Sequence, residues 1–364
     1  MEILKFMNQF EYWDEKLVQN PYHIHIKEDG DYVLLKYDQL ESDFGLQIVR
    51  ECRGSIFRFD EERMEWICVC RPFEKFFNYG EQYAAQIDWA SARATEKIDG
   101  SLMKLWFDRG EWHLSTNGTI DAFKAEVQGW DFTFGDQFEK AVGCSVKDFA
   151  RPFNKGWTYL FELVSPETRV VINYDLAVYF LTAFDNETGE ERSANWRQMD
   201  NVYLPAVYCI ENLDEVLQFV REMDKDEEGI VVRDKYSNRI KVKSEEYLAA
   251  ARLVNNGAIT PKRIVEMIQS EQIDDFLAYC PQYTKMVGEV VEKYHNLTQL
   301  LGVTYDLLTE GRYFESRKEM ADVFRTFTFS DYLFKRYDKG VSAQDYLKGL
   351  GAEKVLQLMK GSLK

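Results

Sequence analysis

The stretch EKIDGSL, Glu96 to Leu102, places a lysine, one spacer and Asp-Gly between small residues and an apolar run. A lysine is protonated at neutral pH, so its use as a nucleophile requires desolvation or nearby positive charge to lower its pKa. Asp99 and Gly100 could make a tight turn that holds Lys97 near a phosphate, and Gly100 admits backbone approach that a Cβ would block. Alone, the motif reads more readily as a solvated lysine beside an ordinary turn. Further along stand Glu162 in YLFELVSP, Glu228 at the head of EGIVVR, and the pair Lys241 and Lys243 in IKVKS. Two lysines two residues apart on a strand project from one face, an arrangement that suits neighbouring phosphate oxygens. Separately, Glu162 reads as a satisfied half-buried carboxylate and the lysine pair as the wet face of an edge strand. Their order and context make them a candidate phosphoryl-transfer site.

The elements that must position these residues change in texture near residues 244–256. Before that point, short β-type runs alternate with turn signals: DYVLLKY (31–37), RGSIFRF (53–59), EWICVC (65–70), SLMKLWF (101–107) and EWHLST (111–116). GWTYLFELV (156–164), TRVVINY (168–174), LAVYFLTAF (176–184), GIVVRD (229–234) and RIKVKS (239–244) continue the series. Asp108-Arg109-Gly110 and the segment 235–238 are predicted hairpin connections, and residues 121–132 and 213–223 have helical spacing. The first part is therefore predicted to be α+β, with largely antiparallel sheets. The remainder carries 3.6-residue periodicity and helix starts such as Thr260-Pro261. The division is set at 1–245, a catalytic domain, and 246–364, an all-helical domain.

A chain of 364 residues with 45% hydrophobic and 15% aromatic content fills sizeable cores. No apolar run approaches the ~18 residues of a membrane span, and the acidic, aromatic start lacks the features of a signal peptide. A cytoplasmic protein is expected, in the host cell if the source is viral, with no membrane partner. The six cysteines, at 52, 68, 70, 144, 209 and 280, form no CxxC pair and argue against a disulfide framework or zinc site. A net charge of −17 argues against general adhesion to nucleic acid but leaves room for a local basic cleft.

The ordered set Lys97-x-Asp99-Gly100, Glu162, Glu228, Lys241 and Lys243 resembles the covalent nucleotidyltransferase superfamily of DNA ligases, RNA ligases and capping enzymes. Helices rather than the short strands of an OB-fold follow the paired lysines, which points to RNA ligases. The segments ECRGSIFRF (51–59), RPFEKFFNYGE (71–81), FELVSPETRVV (161–171) and 260–280 resemble the phage-type RNA ligase 1 family. The resemblance implies that Lys97 is the adenylated nucleophile. It also implies that Arg53 and Lys75 contact the β- and γ-phosphates, with Tyr37 in the same ATP shell. Glu162 would contact the ribose, Glu228 the metal or its waters, and Lys241 and Lys243 the α-phosphate. Tyr247 matches a further functional position, and Asp274 and Asp275 fall where the family has an acidic pair implicated in Mg²⁺ binding. One departure stands out: where the family commonly has lysine, this chain has Asn117, and Lys104 or Lys124 is the candidate substitute.

What the resemblance implies is an ATP-dependent RNA ligase that joins 5′-phosphate and 3′-OH ends through a lysyl-AMP enzyme and an adenylated RNA. ATP is the expected substrate and Mg²⁺ the expected ion, with Mn²⁺ as an alternative. RNA, including cleaved tRNA, is the expected partner, and a separate kinase/phosphatase would prepare its ends. The helical domain would read RNA shape. The competing readings are a DNA ligase, a GTP-using capping enzyme, and a non-catalytic RNA-binding protein that keeps a degenerate form of the fold.

Overall fold

The computed structural model describes residues 1–364 except 40, 128–129, 169–171, 193–200, 225–226, 245–259, 271, 274–275, 278–282, 310–313, 315 and 362–364. It divides into two compact units, Met1–Val254 and Asn255–Lys364, and the division falls within the stretch 245–259, outside the described residues.

The first unit opens with two short helices, α1 (Glu2–Gln9) and α2 (Trp13–Leu17). The strands β1 (Ile24–Asp29) and β2 (Tyr32–Tyr37) follow, then α3 (Gln47–Glu51), β3 (Arg53–Asp60) and β4 (Glu65–Cys70). These four strands form an antiparallel sheet in the order β1-β2-β3-β4. The helices bury Ile3, Met7, Trp13 and Leu17 against Val33, Leu35 and Phe57 of that sheet. The acidic N-terminal stretch, which gives no β-type run, is thus a helical cover for the first sheet.

Next come β5 (Phe77–Asn78), β6 (Arg93–Glu96), β7 (Ser101–Asp108) and β8 (Glu111–Thr116). The helices α4 (Phe134–Val142) and α5 (Val146–Phe149) precede β9 (Trp157–Val164), β10 (Ala177–Asp185), β11 (Glu191–Arg192), β12 (Val202–Tyr203) and β13 (Val207–Tyr208). Helix α6 (Leu213–Arg221) leads to β14 (Gly229–Arg233) and β15 (Arg239–Lys243). The second sheet runs β11-β10-β9-β7-β8, with β12 beside β10; the third runs β13-β6-β14-β15-β5. The hairpin β7–β8 turns at Arg109 and Gly110, both at positive φ, where the sequence predicts it. Phe138, Ala141 and Phe149 pack α4 and α5 onto Phe161 and Leu163 of the second sheet. Val216 and Val220 pack α6 onto Ile230, Ile240 and Val242 of the third.

Two expectations are corrected. Residues 121–132 form no α-helix among the described residues: Asp121 caps only a 3₁₀ turn at Ala122–Lys124, and Glu126 bridges to Thr133. The helix begins afterwards, where the Thr133 and Asp136 side chains exchange hydrogen bonds with each other's backbone N–H. Nor do residues 168 and 172–174 lie in a strand. The Ile172 N–H donates to the Asp99 carboxylate at 3.0 Å instead of to a neighbouring strand. Apolar alternation there serves the turn after Lys97 rather than a sheet.

The second unit contains α7 (Pro261–Gln269), α8 (Thr284–Thr309), α9 (Arg317–Phe324), α10 (Ser330–Lys339), α11 (Ala343–Lys348) and α12 (Ala352–Gly361). The Thr260 hydroxyl accepts from the Arg263 N–H, and Pro261 occupies the first turn. No described helix is long and apolar enough to cross a membrane.

Candidate active site

Lys97 follows β6 directly, and its backbone N–H donates to the Gly229 carbonyl at 2.9 Å. The antiparallel pairing of β6 with β14, with Glu96 opposite Ile230, is what brings Glu228 beside it. Lys97 Nζ donates to Glu228 Oε2 at 2.6 Å, and Lys243 Nζ lies 2.8 Å from Glu228 Oε1. Only 2% of the Glu228 side chain is exposed, 5% of Lys243 and 22% of Lys97. One buried carboxylate therefore bridges two ammonium groups, of which Lys97 alone keeps a substantial opening. Burial works against the Glu228 charge, but Lys243 and Lys97 outweigh it and hold its carboxyl below the ordinary range.

Two glycines make this geometry possible. A β-carbon on Gly100 would stand 2.5 Å from the Leu163 carbonyl oxygen and 2.7 Å from Val164 Cγ1. The turn after Lys97 thus presses against β9, the strand that carries Glu162. Gly229 has φ +148°, and a β-carbon there would meet the Val242 carbonyl oxygen at 2.1 Å. Asp99, buried, holds the far side of the turn through Ile172.

Glu162 is half-buried on β9, within electrostatic reach of Lys97, Glu228, Arg53 and Asp99. Burial pushes its carboxyl up to about 8; Lys97 opposes the rise and Glu228 adds to it. In the unfolded chain the group titrates near 4.5. Between these values the folded state binds more protons, so this group's contribution to stability falls as pH rises from about 4.5 to about 8. Urea unfolding at pH 5 and pH 8 checks this: Glu162→Gln is expected to lose less stability across the interval than wild type. An equal loss in the two proteins would contradict it.

Lys241 lies two residues before Lys243 on β15, opposite Val231, so both lysines leave the same strand face. Arg53 opens β3 with its guanidinium over the Phe76 ring at 5.4 Å, and its buried Nη1 has no hydrogen-bond partner among the described residues. Lys75 Nζ sits among the rings of Phe44, Tyr37 and Phe77, at 4.3, 5.1 and 5.4 Å from their centroids. Its backbone N–H donates to the Arg50 carbonyl at 2.8 Å, which ties it to α3, the helix that leads into β3. Asn117 lies against Gly54, beside Lys104. Lys104 is fully buried on β7 and donates to the Gly54 carbonyl, whereas Lys124 makes a surface ion pair with Asp29 at 2.6 Å. Of the two candidate substitutes, Lys104 is therefore the one adjacent to Asn117. Tyr247, Asp274 and Asp275 lie outside the described residues.

Sequence reasoning passed over Arg239 and Glu191. Arg239 continues the alternation of Lys241 and Lys243 and pairs with the buried Glu191 of β11. The signal for Arg239 was present in RIKVK; nothing local marked Glu191, whose burial depends on the contact of two sheets.

A partly exposed lysine thus stands beside a buried carboxylate shared with a second lysine, with Gly100 and Gly229 allowing the close backbone approach. The family described as RNA ligase matches residues 51–247, which include Lys97, Glu162, Glu228, Lys241 and Lys243. The chain belongs to this family, in its phage-type RNA ligase 1 branch. It is 28% identical over 289 residues to a protein of Autographa californica nuclear polyhedrosis virus named as a bifunctional polynucleotide kinase/RNA ligase. That match covers 74% of this chain and 40% of the viral protein, so the chain spans less than half of that relative. It is 26% identical over 345 residues to the RNA ligase of Rhodothermus phage RM378, covering 78% of this chain and 77% of the phage protein. Among solved structures, an archaeal ATP-dependent RNA ligase aligns with a TM-score of 0.44 at 14% identity, over 86% of each chain.

Proposed function

We propose that the chain is an ATP-dependent RNA ligase that joins 5′-phosphate and 3′-OH ends, with Lys97 as the nucleophile. The observation that carries this reading is the Lys97–Glu228–Lys243 bridge at an accessible lysine, in a chain that belongs to the RNA ligase family.

In the first step, Lys97 gives up its proton and Nζ bonds to the α-phosphorus of ATP as the bond to the bridging pyrophosphate oxygen breaks. Lys241 and Lys243 neutralise charge on the α-phosphate oxygens, while Arg53 and Lys75 orient the leaving pyrophosphate. The orphaned Arg53 Nη1 supplies an unused donor for that role. AMP then passes from Lys97 to the RNA 5′-phosphate, and finally the 3′-OH attacks the adenylated end and releases AMP. Positioning and charge neutralisation dominate each transfer. Glu162 serves the ribose in this reading.

The donor chemistry suits a divalent ion: Glu228 supplies hard carboxylate oxygens at the site, and Asp274 and Asp275 are the further acidic residues that would hold it or its waters. Mg²⁺ ordinarily takes one or two carboxylates together with substrate phosphates and water, which matches this supply. When bound, Mg²⁺ or Mn²⁺ withdraws charge from phosphate oxygens. Asp274 and Asp275 keep their expected metal role and Tyr247 its place as a further functional position in the proposal, and Asn117, with the buried Lys104 beside it, would face the RNA end. The helical unit is the proposed RNA-specificity domain, with cleaved tRNA as a candidate substrate.

The ring cage around Lys75 bears on ATP binding. Phe44→Leu is expected to raise the ATP KM for adenylation about 3- to 10-fold, in line with one cation–π contact, and to change the saturated rate less. A changed saturated rate at constant KM would remove Lys75 from the binding shell.

The reading itself is tested by incubating the protein with α-³²P-labelled ATP or GTP and Mg²⁺. An acid-labile, protein-bound label from ATP is the expected result. No label from ATP would overturn it, and preference for GTP would favour a capping enzyme.

A further inference from the structure

Arg239, Lys241 and Lys243 alternate along β15 and leave the same face of the strand. The two lysines belong to the proposed phosphate site, whereas Arg239 turns to a different partner. Its side chain is 10% exposed and Nη2 donates to Glu191 Oε1, on a side chain only 1% exposed. The same oxygen accepts from Arg233 Nη1 at 3.2 Å and from Thr182 Oγ1 at 2.8 Å. Arg239 also lies over the Phe73 ring at 4.8 Å, and Phe73 meets Phe76, the ring beneath Arg53, at 5.9 Å.

This ionic cluster crosses between sheets. Arg233 and Arg239 come from β14 and β15 of the third sheet, and Glu191 and Thr182 from β11 and β10 of the second. The third sheet presents Lys97, Glu228, Lys241 and Lys243; the second presents Glu162. A buried carboxylate between guanidinium groups is a weak source of stability, because apolar side chains of similar size often serve as well or better. What charge and direction add is a fixed distance between the two sheets.

We infer that Glu191 and Arg239 are positioning residues that set the separation of the two sheets across the nucleotide cleft, and so the placement of Lys241 and Lys243 against the α-phosphate. The inference rests on the adenylation reading above. Neither residue touches the reacting atoms; they act through the strand that carries the lysines.

The test compares wild type with Glu191→Gln, Arg239→Lys and the double variant Glu191→Met/Arg239→Met, which removes both buried charges together. Single-turnover formation of lysyl-AMP from α-³²P ATP is followed across ATP concentrations, at a temperature where circular dichroism shows each protein folded. Glu191→Gln and the double variant are expected to lose about 10- to 100-fold in rate at saturating ATP, as small misplacements do, with the apparent ATP KM within about threefold of wild type. Arg239→Lys is expected to retain part of the rate. A folded double variant that adenylates at the wild-type rate, or a rate loss that only tracks the unfolded fraction, would overturn the inference alone. Absence of label on wild-type protein would overturn the adenylation reading and the inference with it.

Discussion

Lys97→Ala is expected to abolish the acid-labile adenylate while leaving the protein folded and able to seal an RNA supplied with its 5′ end already adenylated. The first part follows from the proposed chemistry, in which Nζ forms the phosphoramidate: of the two lysines that contact Glu228 among the described residues, Lys97 is 22% exposed and Lys243 only 5%. The second part follows from the reaction sequence, since the 3′-OH rather than the lysine attacks in the last transfer. Folding should persist because the side chain is 22% exposed and its backbone N–H still reaches Gly229. Gel analysis of labelled protein and of ligation with pre-adenylated RNA checks both halves. Label on Lys97→Ala would move the nucleophile elsewhere. Failure with pre-adenylated RNA in a folded variant would mean that Lys97 also supports the final step.

Glu228→Gln is expected to damage both stability and adenylation. The carboxylate is the shared partner of two ammonium groups, so its loss leaves Lys243 buried against an amide that can accept only at one oxygen. Removing one member of a buried ion pair costs about 3–5 kcal/mol. Adenylation should fall at least about 100-fold, because Lys97 and Lys243 lose their common anchor. The pH dependence has a sign opposite to that of Glu162. The Glu228 carboxyl titrates lower in the folded state than its ordinary 4.5, so its contribution is present above 4.5 and is lost as pH falls through the folded value. Denaturant midpoints for wild type and Glu228→Gln should therefore converge in acid. A constant gap down to low pH would show that the ion pairs contribute little.

Much of this site was legible because its residues sit on strands with clear period-two alternation. Lys241 and Lys243 share a face by spacing alone, and the hairpin connection at 235–238 puts Lys243 beside Glu228. Gly100 reads as a turn residue from its place after Asp99, but the close contacts of Gly100 with Leu163 and of Gly229 with Val242 depend on tertiary approach. The helical start of the chain was less legible, since WDEKL and EILKFMNQ are short segments whose helicity comes from packing on the first sheet. The false helix at 121–132 shows the same limit in reverse: suitable spacing gave way to a 3₁₀ turn and a bridge, and the capping box twelve residues on decided where the helix begins. Glu191 was invisible because a glutamate in a surface-looking Glu-Arg stretch has its side chain buried only when two sheets meet.

The pairing of β6 with β14 also governs when the lysine can become reactive. Lys97 and Glu228 are separated by 131 residues, and Lys241 and Lys243 lie later still. During synthesis, a chain that has already emerged through Lys97 carries an ordinary solvated ammonium until the distant strands arrive and pair. With Lys97 as the proposed nucleophile, self-adenylation requires completion of the long-range fold, so trapped AMP on a nascent or half-folded chain is expected to be rare. A covalent label on Lys97 would then report correctly closed topology.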